Sequence, residues 1–260
     1  MPFLIILLFL FGMQSLGAVA ESIPPSPLLT ASCGITLLAD DPSALLVSPF
    51  PENAGVQTGF TQLYGLSQLP RYSIAATTSR KRYRLGVGAV HLDHPLYTET
   101  QISAAISYDM GAVKPAVAMR VLRSAAQGYR RDSILLLDAG LQYQMPPVIS
   151  RLWLSNITQK EIFDQSLPVQ LNWELAAEVL PQAILGVSLE KEEGFDFSLR
   201  IGSRYQVLKP LLLVASYQYQ PNRLGAGMEV TLGKIRVSYG LQSHSQLELT
   251  HCIGVGCAMH

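Results

Sequence analysis

The chain has 260 residues, with 19 basic and 19 acidic side chains and a formal net charge of zero. Charged residues make up 15%, well under the roughly 25% of ordinary soluble domains. Neutrality argues against a nucleic-acid binder, which carries a basic surplus. Low charge with 48% apolar residues argues against disorder, and does not suit an ordinary soluble enzyme.

Taken in chain order, residues 1–20 read as a secretory signal peptide. Pro2–Leu16 is almost wholly apolar and Ala18-Val19-Ala20 is a small-x-small cleavage site. The usual positive start is missing, since no Lys or Arg precedes Arg71. After residue 20 no apolar run approaches the ~20 residues of a spanning helix. The exported chain is therefore either soluble or enters a membrane as a closed β-barrel.

Residues 21–55 form the next unit and do not alternate. Asp40 or Asp41 before Pro42 reads as a helix N-cap with Pro in the first turn, giving a short helix over Pro42–Val47 that stops before Pro49.

From Val56 to 254 the pattern is period two, the mark of strands with two unlike faces. Strands are predicted at 56–64, 70–78, 82–91, 100–109, 113–122, 132–143, 148–157, 168–180, 182–190, 194–206, 209–220, 222–232, 233–242 and 245–254, with 255–260 as a tail. One face holds runs such as Phe195, Phe197, Leu199 and Ile201, with a register slip expected near Ser203. The other mixes Gly, Ser and Gln with charges of both signs: Arg84, Lys114, Arg120, Asp138, Glu174, Glu178, Glu190, Asp196, Arg200, Arg204, Glu229 and Arg236.

Fourteen strands of about ten residues suit a transmembrane, antiparallel, up-and-down β-barrel with an apolar outer face and a polar lumen. The competing architecture is a periplasmic sandwich or lipocalin-like barrel, whose apolar face would point inward. The charged set then reads as a lumen network of acids and bases, strengthened by reduced dielectric. Short connections leave no room for a long surface loop.

Three stretches carry a family likeness. They are Ala39-Asp40-Asp41-Pro42-Ser43-Ala44 followed by Ser48-Pro49, then Leu137-Asp138-Ala139-Gly140-Leu141-Gln142-Tyr143, and finally Leu247-Glu248-Leu249-Thr250-His251. In these the chain resembles the PorV/PorQ-type outer-membrane proteins, relatives of the FadL long-chain fatty-acid transporters. It departs from them at Ser48, where the family has Asn, and at its C-terminus, which does not end on an aromatic residue. The resemblance implies an all-β barrel in a Gram-negative-type outer membrane, with the N-terminal segment folded into the lumen as a plug. It implies two partner classes besides membrane lipid. One is a small hydrophobic molecule, passed or bound in an apolar pocket between plug and wall formed by Leu37, Leu38, Leu45, Leu46, Val47 and Phe50. The other is a set of secretion-system proteins, with this chain as a docking component.

No catalytic constellation, cofactor motif or metal spacing stands out. His91, Asp93 and His94 read as a solvated turn. Cys252 and Cys257 could pair in an oxidising compartment, but not from one continuous strand.

Overall fold

The computed structural model describes residues 24–128, 131–163, 165–244 and 246–259. The predicted signal peptide, residues 1–20, lies outside them. The described chain is a closed antiparallel barrel of fourteen strands. In chain order these are β1 (Gly55–Gln62), β2 (Pro70–Arg80), β3 (Tyr83–His94), β4 (Tyr97–Tyr108), β5 (Val113–Ala126), β6 (Arg131–Met145) and β7 (Val148–Ser155). They continue as β10 (Gln170–Leu180), β11 (Ala183–Glu192), β12 (Ser198–Leu208), β13 (Leu211–Tyr219), β14 (Arg223–Leu232), β15 (Ile235–Gln242) and β16 (Thr250–Ala258). The two-residue strands β8 (Glu161–Ile162) and β9 (Gln165–Ser166) form a separate small hairpin between β7 and β10. Each barrel strand pairs with its neighbour in the chain, and β16 closes the ring on β1 from Gly55↔Ala258 to Gln62↔His251.

Each of the fourteen predicted strands overlaps one of these, and two details differ. The last strand begins at Thr250 rather than 245 and runs through Ala258, into the stretch expected as a tail. Leu247 and Leu249 alternate, but they are exposed on the connection that precedes it. The register shift of β12 falls between Gln206 and Leu208, not near Ser203, so one face runs unbroken from Ser198 through Arg204.

The two ends of the barrel are unlike. At the end where β1 starts, hairpins close through Lys81-Arg82, Pro146-Pro147, Pro181-Gln182, Lys209-Pro210 and Gly233-Lys234. We call this the turn end. The opposite, loop end carries the longer connections 63–69, 156–169 and 243–249.

Alternation sorts the wall into two surfaces, because successive side chains of a strand point to opposite faces. Outward lie Ile74, Val87, Ile102, Val117, Leu135, Leu152, Leu185, Ile201, Leu213, Val237 and Ile253, all exposed. Exposed aromatics flank them at both ends, with Phe60, Tyr72, Tyr217 and Tyr219 toward the loops and Tyr83, Tyr143 and Tyr205 toward the turns. Inward lie small and polar residues such as Ser73, Ser103, Ser188, Ser216 and Gln218, all buried.

Residues 24–52 account for that burial. They run inside the barrel and are themselves buried except at Gly34, Asp40 and Val47, which are half-buried. The segment has three short turns of helix where the sequence foresaw one. Pro27–Ala31 is capped by Ser26, whose side chain accepts from the Leu29 N–H, with Pro27 in the first turn. Thr36–Ala39 ends at Asp40, which adopts the left-handed conformation that Asp tolerates better than most residues. The expected helix is a 3-10 helix, Pro42–Leu46, and its cap is Asp41, which accepts from the Ser43 N–H at 2.7 Å.

Candidate functional site

The barrel interior is where this sequence concentrates its polar chemistry, and the N-terminal segment touches every sector of it. Helix Pro27–Ala31 lies on β13–β16, Thr36–Ala39 on β10–β12, and Pro42–Leu46 on β1–β4. Phe50 reaches the β5–β7 sector, where its ring meets Trp153 edge-on at 6.3 Å between centroids. Leu28, Leu29 and Ala31 pack with Leu212 and Val214. Ile35, Leu37 and Leu38 pack with Ala176, and Leu45 and Leu46 with Ala75, Val90, Ala105 and Ala118. Burying each such leucine is worth about 1.5–3 kcal/mol.

The wall is shaped for the segment. At Gly240 an added Cβ would sit 2.0 Å from the Pro27 carbonyl oxygen, and at Gly225 2.3 Å from that of Ala31. No other residue allows backbone so close. Those carbonyls and N–H groups, buried away from water, need partners, and wall side chains supply them. Ser216 donates to the Ala31 carbonyl at 2.7 Å and Gln101 to that of Leu46 at 2.8 Å. Ser73 donates to Pro25 and Thr77 to Asn53.

Charged groups make the remaining ties. Glu174 on β10 is fully buried and accepts from the Thr36 N–H at 2.8 Å, the Thr36 hydroxyl at 2.7 Å and the Leu37 N–H at 3.2 Å. It thus caps the Thr36–Ala39 turn from across the lumen. Arg151 on β7 donates to the Thr36 hydroxyl at 3.0 Å and to Gln142 at 2.8 Å. It also pairs with Glu52 and lies 5.1 Å over the Phe50 ring. Arg204 pairs with Asp40 at 3.1 Å.

Asp41 is buried and holds the segment to itself, accepting from the Ser26 hydroxyl at 2.8 Å. Burial pushes its carboxyl up to about 6, although the Ser26 and Ser43 hydrogen bonds oppose that. Within the expected 40–49 motif, Pro42, Ser43 and Ala44 form the 3-10 turn, while Ser48 donates back to the Ala44 carbonyl at 3.1 Å and leads into Pro49.

The predicted charge network divides into separate groups. Arg120 pairs with Asp138 at 2.7 Å, and Asp138 also accepts from the Asn156 N–H. Arg200 pairs with Glu190 at 2.7 Å. Glu229 and Arg236 lie within each other's field and that of Asp41. Lys114 lies in the field of Arg84, Glu52 and Arg151. Glu178 is exposed at the turn end of β10, beside a register shift. Asp196 is exposed on the connection between β11 and β12 rather than on a strand. Arg151 and Glu52 were missed. Arg151 shares its face with Trp153 and Ser155, so alternation marks it as inward, whereas nothing in residues 51–55 marks Glu52.

Toward the loop end the segment leaves a cavity of about 430 Å³. Gln170, Asn172, Glu192, Gln218 and Gln242 line it, together with Trp153 and Phe195. Of the six apolar residues expected to form a greasy pocket, only Val47 lines this cavity. Leu38, Leu45, Leu46 and Phe50 are fully engaged with the wall.

Elsewhere, His91 hydrogen-bonds Thr100, and His94 accepts from the Leu96 N–H in the β3–β4 turn. Among the described residues no group of three or more His, Cys, Asp and Glu is placed to hold a metal. The three cysteines are free. Cys252 and Cys257 lie on the single strand β16 and face opposite ways, which rules out a bond between them.

The fold and interior define a closed, fourteen-stranded antiparallel barrel that contains its own N-terminal segment. No family model matches the chain, and no curated protein does, so the likeness to the PorV/PorQ-type proteins rests on the residues quoted above. Among solved structures, a mutant of Rhodopseudomonas blastica porin is 10% identical over 79% of this chain and 98% of its own, with a TM-score of 0.47. A triple mutant of the same porin is 9% identical over the same shares, also at 0.47. A likeness this distant bears on neither family nor activity.

Proposed function

We propose that this chain is a bacterial outer-membrane β-barrel that its own N-terminal segment plugs, and that it binds at its loop end rather than conducting. The membrane reading is supported by the outward face. It carries a predominantly apolar surface, interrupted by hydroxyls such as Thr58 and Ser203, between two aromatic girdles, the pattern of a lipid-facing wall. A soluble barrel would expose its polar face instead. The ends with shorter turns and with somewhat longer connections match the periplasmic and extracellular sides of such barrels.

The observation that carries the plugged reading is the burial of residues 24–52 against every sector of the wall. Their backbone is held by Ser73, Gln101, Glu174 and Ser216. A passage for small hydrophobic molecules would need an apolar route, and the apolar side chains of the plug are engaged with the wall. The cavity at the loop end is lined by polar and apolar side chains together. A docking or binding role therefore fits better than passage. In a liposome-swelling assay the purified full chain should give no swelling with small sugars above that of empty liposomes. Swelling at porin rates would contradict the plugged reading.

A further inference from the structure

The loop-end cavity has a definite chemistry. Its volume of about 430 Å³ lies inside the range of about 300–1,000 Å³ that small-molecule sites occupy. Four carboxamides line it: Gln170, Asn172, Gln218 and Gln242. Each such group offers both N–H donors and a carbonyl acceptor. Acids and bases both line it, Glu190, Glu192 and Asp196 with Arg200 and Arg223. Arg200 pairs with Glu190 at 2.7 Å, and Glu192 accepts from Gln170 at 2.7 Å.

Several polar atoms there are buried without a hydrogen-bond partner in the fold. They are Gln242 Nε2, Trp153 Nε1 and Arg200 Nε, which donate, and Glu192 Oε1, which accepts. Gln242 is 4% exposed and Trp153 5%. Leaving such groups unmet costs about 1–3 kcal/mol each, and the carboxamides beside them offer an occupant both donors and acceptors.

These features select among ligand classes. An apolar molecule would leave the donors unmet. An anion such as phosphate would meet Arg200 and Arg223 but also the three carboxylates of Glu190, Glu192 and Asp196. Hydroxyl groups meet every requirement, since each donates once and accepts twice. The Trp153 and Phe195 rings add flat apolar surface against which a C–H face can lie.

We infer that this cavity is a binding site for a neutral saccharide of about one or two rings, oriented by Gln242, Trp153 and Glu192. The inference rests on the plugged reading, because an open lumen would let the same sugar pass through.

The test is isothermal titration of the detergent-solubilised full chain with glucose, galactose, N-acetylglucosamine, maltose, lactose and sucrose. Inorganic phosphate and octanoate serve as competing classes. At least one sugar should bind saturably with a Kd below about 10 mM. Trp153→Phe keeps the ring and removes only the N–H, and Gln242→Leu removes the amide. Each should weaken binding about tenfold or more, a change of about 1.4 kcal/mol, in protein whose strand signal by circular dichroism is unchanged. Glu178→Gln, exposed at the far end of β10, should leave binding as it was. No saturation with any of the sugars, tighter binding of phosphate or octanoate, or sugar binding indifferent to both variants would overturn the assignment. Swelling of liposomes by the same sugars would instead overturn the plugged barrel, so the two failures are told apart.

Discussion

Read from the loops downward, the inward face of β12 presents Ser198, Arg200, Gly202 and Arg204, and the two halves of this face do different things. In the upper half Ser198 and Arg200 border the cavity, and Arg200 is answered by Glu190 on the neighbouring strand. In the lower half Gly202 makes room for Leu38, and Arg204 reaches Asp40 of the N-terminal segment. The same strand, with the same alternation, is thus completed by the wall above and by the segment below. The lower interior is packed like a protein core, with apolar contacts and satisfied backbone. The upper interior holds the cavity instead, while unmet buried polar atoms occur in both halves, at Gln242 and Glu192 above and at Gln57, Glu229 and Arg236 below.

Substitutions can break this contrast from below. The largest effect is expected from Gly240→Leu, because its Cβ would lie 2.0 Å from the Pro27 carbonyl oxygen. Backbone cannot yield there as a side chain can, so the Pro27–Ala31 turn must leave the wall. Overpacking of this kind costs about 1–3 kcal/mol or more. Limited proteolysis should then cut within residues 24–52, which should resist cleavage in the parent chain; equal resistance would contradict the packing described.

A smaller effect is expected from Glu174→Ala. It strips the Thr36 N–H, the Thr36 hydroxyl and the Leu37 N–H of their acceptor and leaves the buried Arg151 with less counter-charge. The thermal transition of the barrel, followed by its heat-dependent shift in gel mobility, should fall by the equivalent of about 1–3 kcal/mol. An unchanged transition would show that the cap contributes nothing.

The smallest effect concerns pH. The Asp41 carboxyl, ordinarily near 3.8, titrates at about 6 in the folded chain. A raised folded value means that the protonated form is the better fit. Its contribution is therefore complete below about 4 and is lost as pH rises through about 6. Asp41→Asn should stabilise the chain at pH 7 relative to the parent by more than it does at pH 4. Identical pH dependence in both would contradict the burial of Asp41.

The wall was far more legible in the sequence than its contents. Period-two alternation is local, so β10 and β12 announce both their existence and their inward set, Asn172, Glu174 and Ala176 or Ser198, Arg200 and Gly202. The cap at Asp41 was local too, since its partner Ser43 lies two residues on. The use of Glu174 was not local, because its partner Thr36 lies 138 residues away. The same distance problem hid the pairing of Glu52 with Arg151. The start of β16 was misplaced because Leu247 and Leu249 copy a strand's alternation while lying on a loop. The apolar residues of the segment looked like a ligand pocket because sequence alone does not say whether a leucine lines a space or fills one.

The central claim is that residues 24–52 seal the barrel, and single-channel recording in planar bilayers tests it most directly. The full chain should show no steady conductance, and a chain lacking Leu28–Phe50 that still inserts should show a stable open level. A full chain that conducts like a porin, or a deletion that inserts and stays closed, would contradict it.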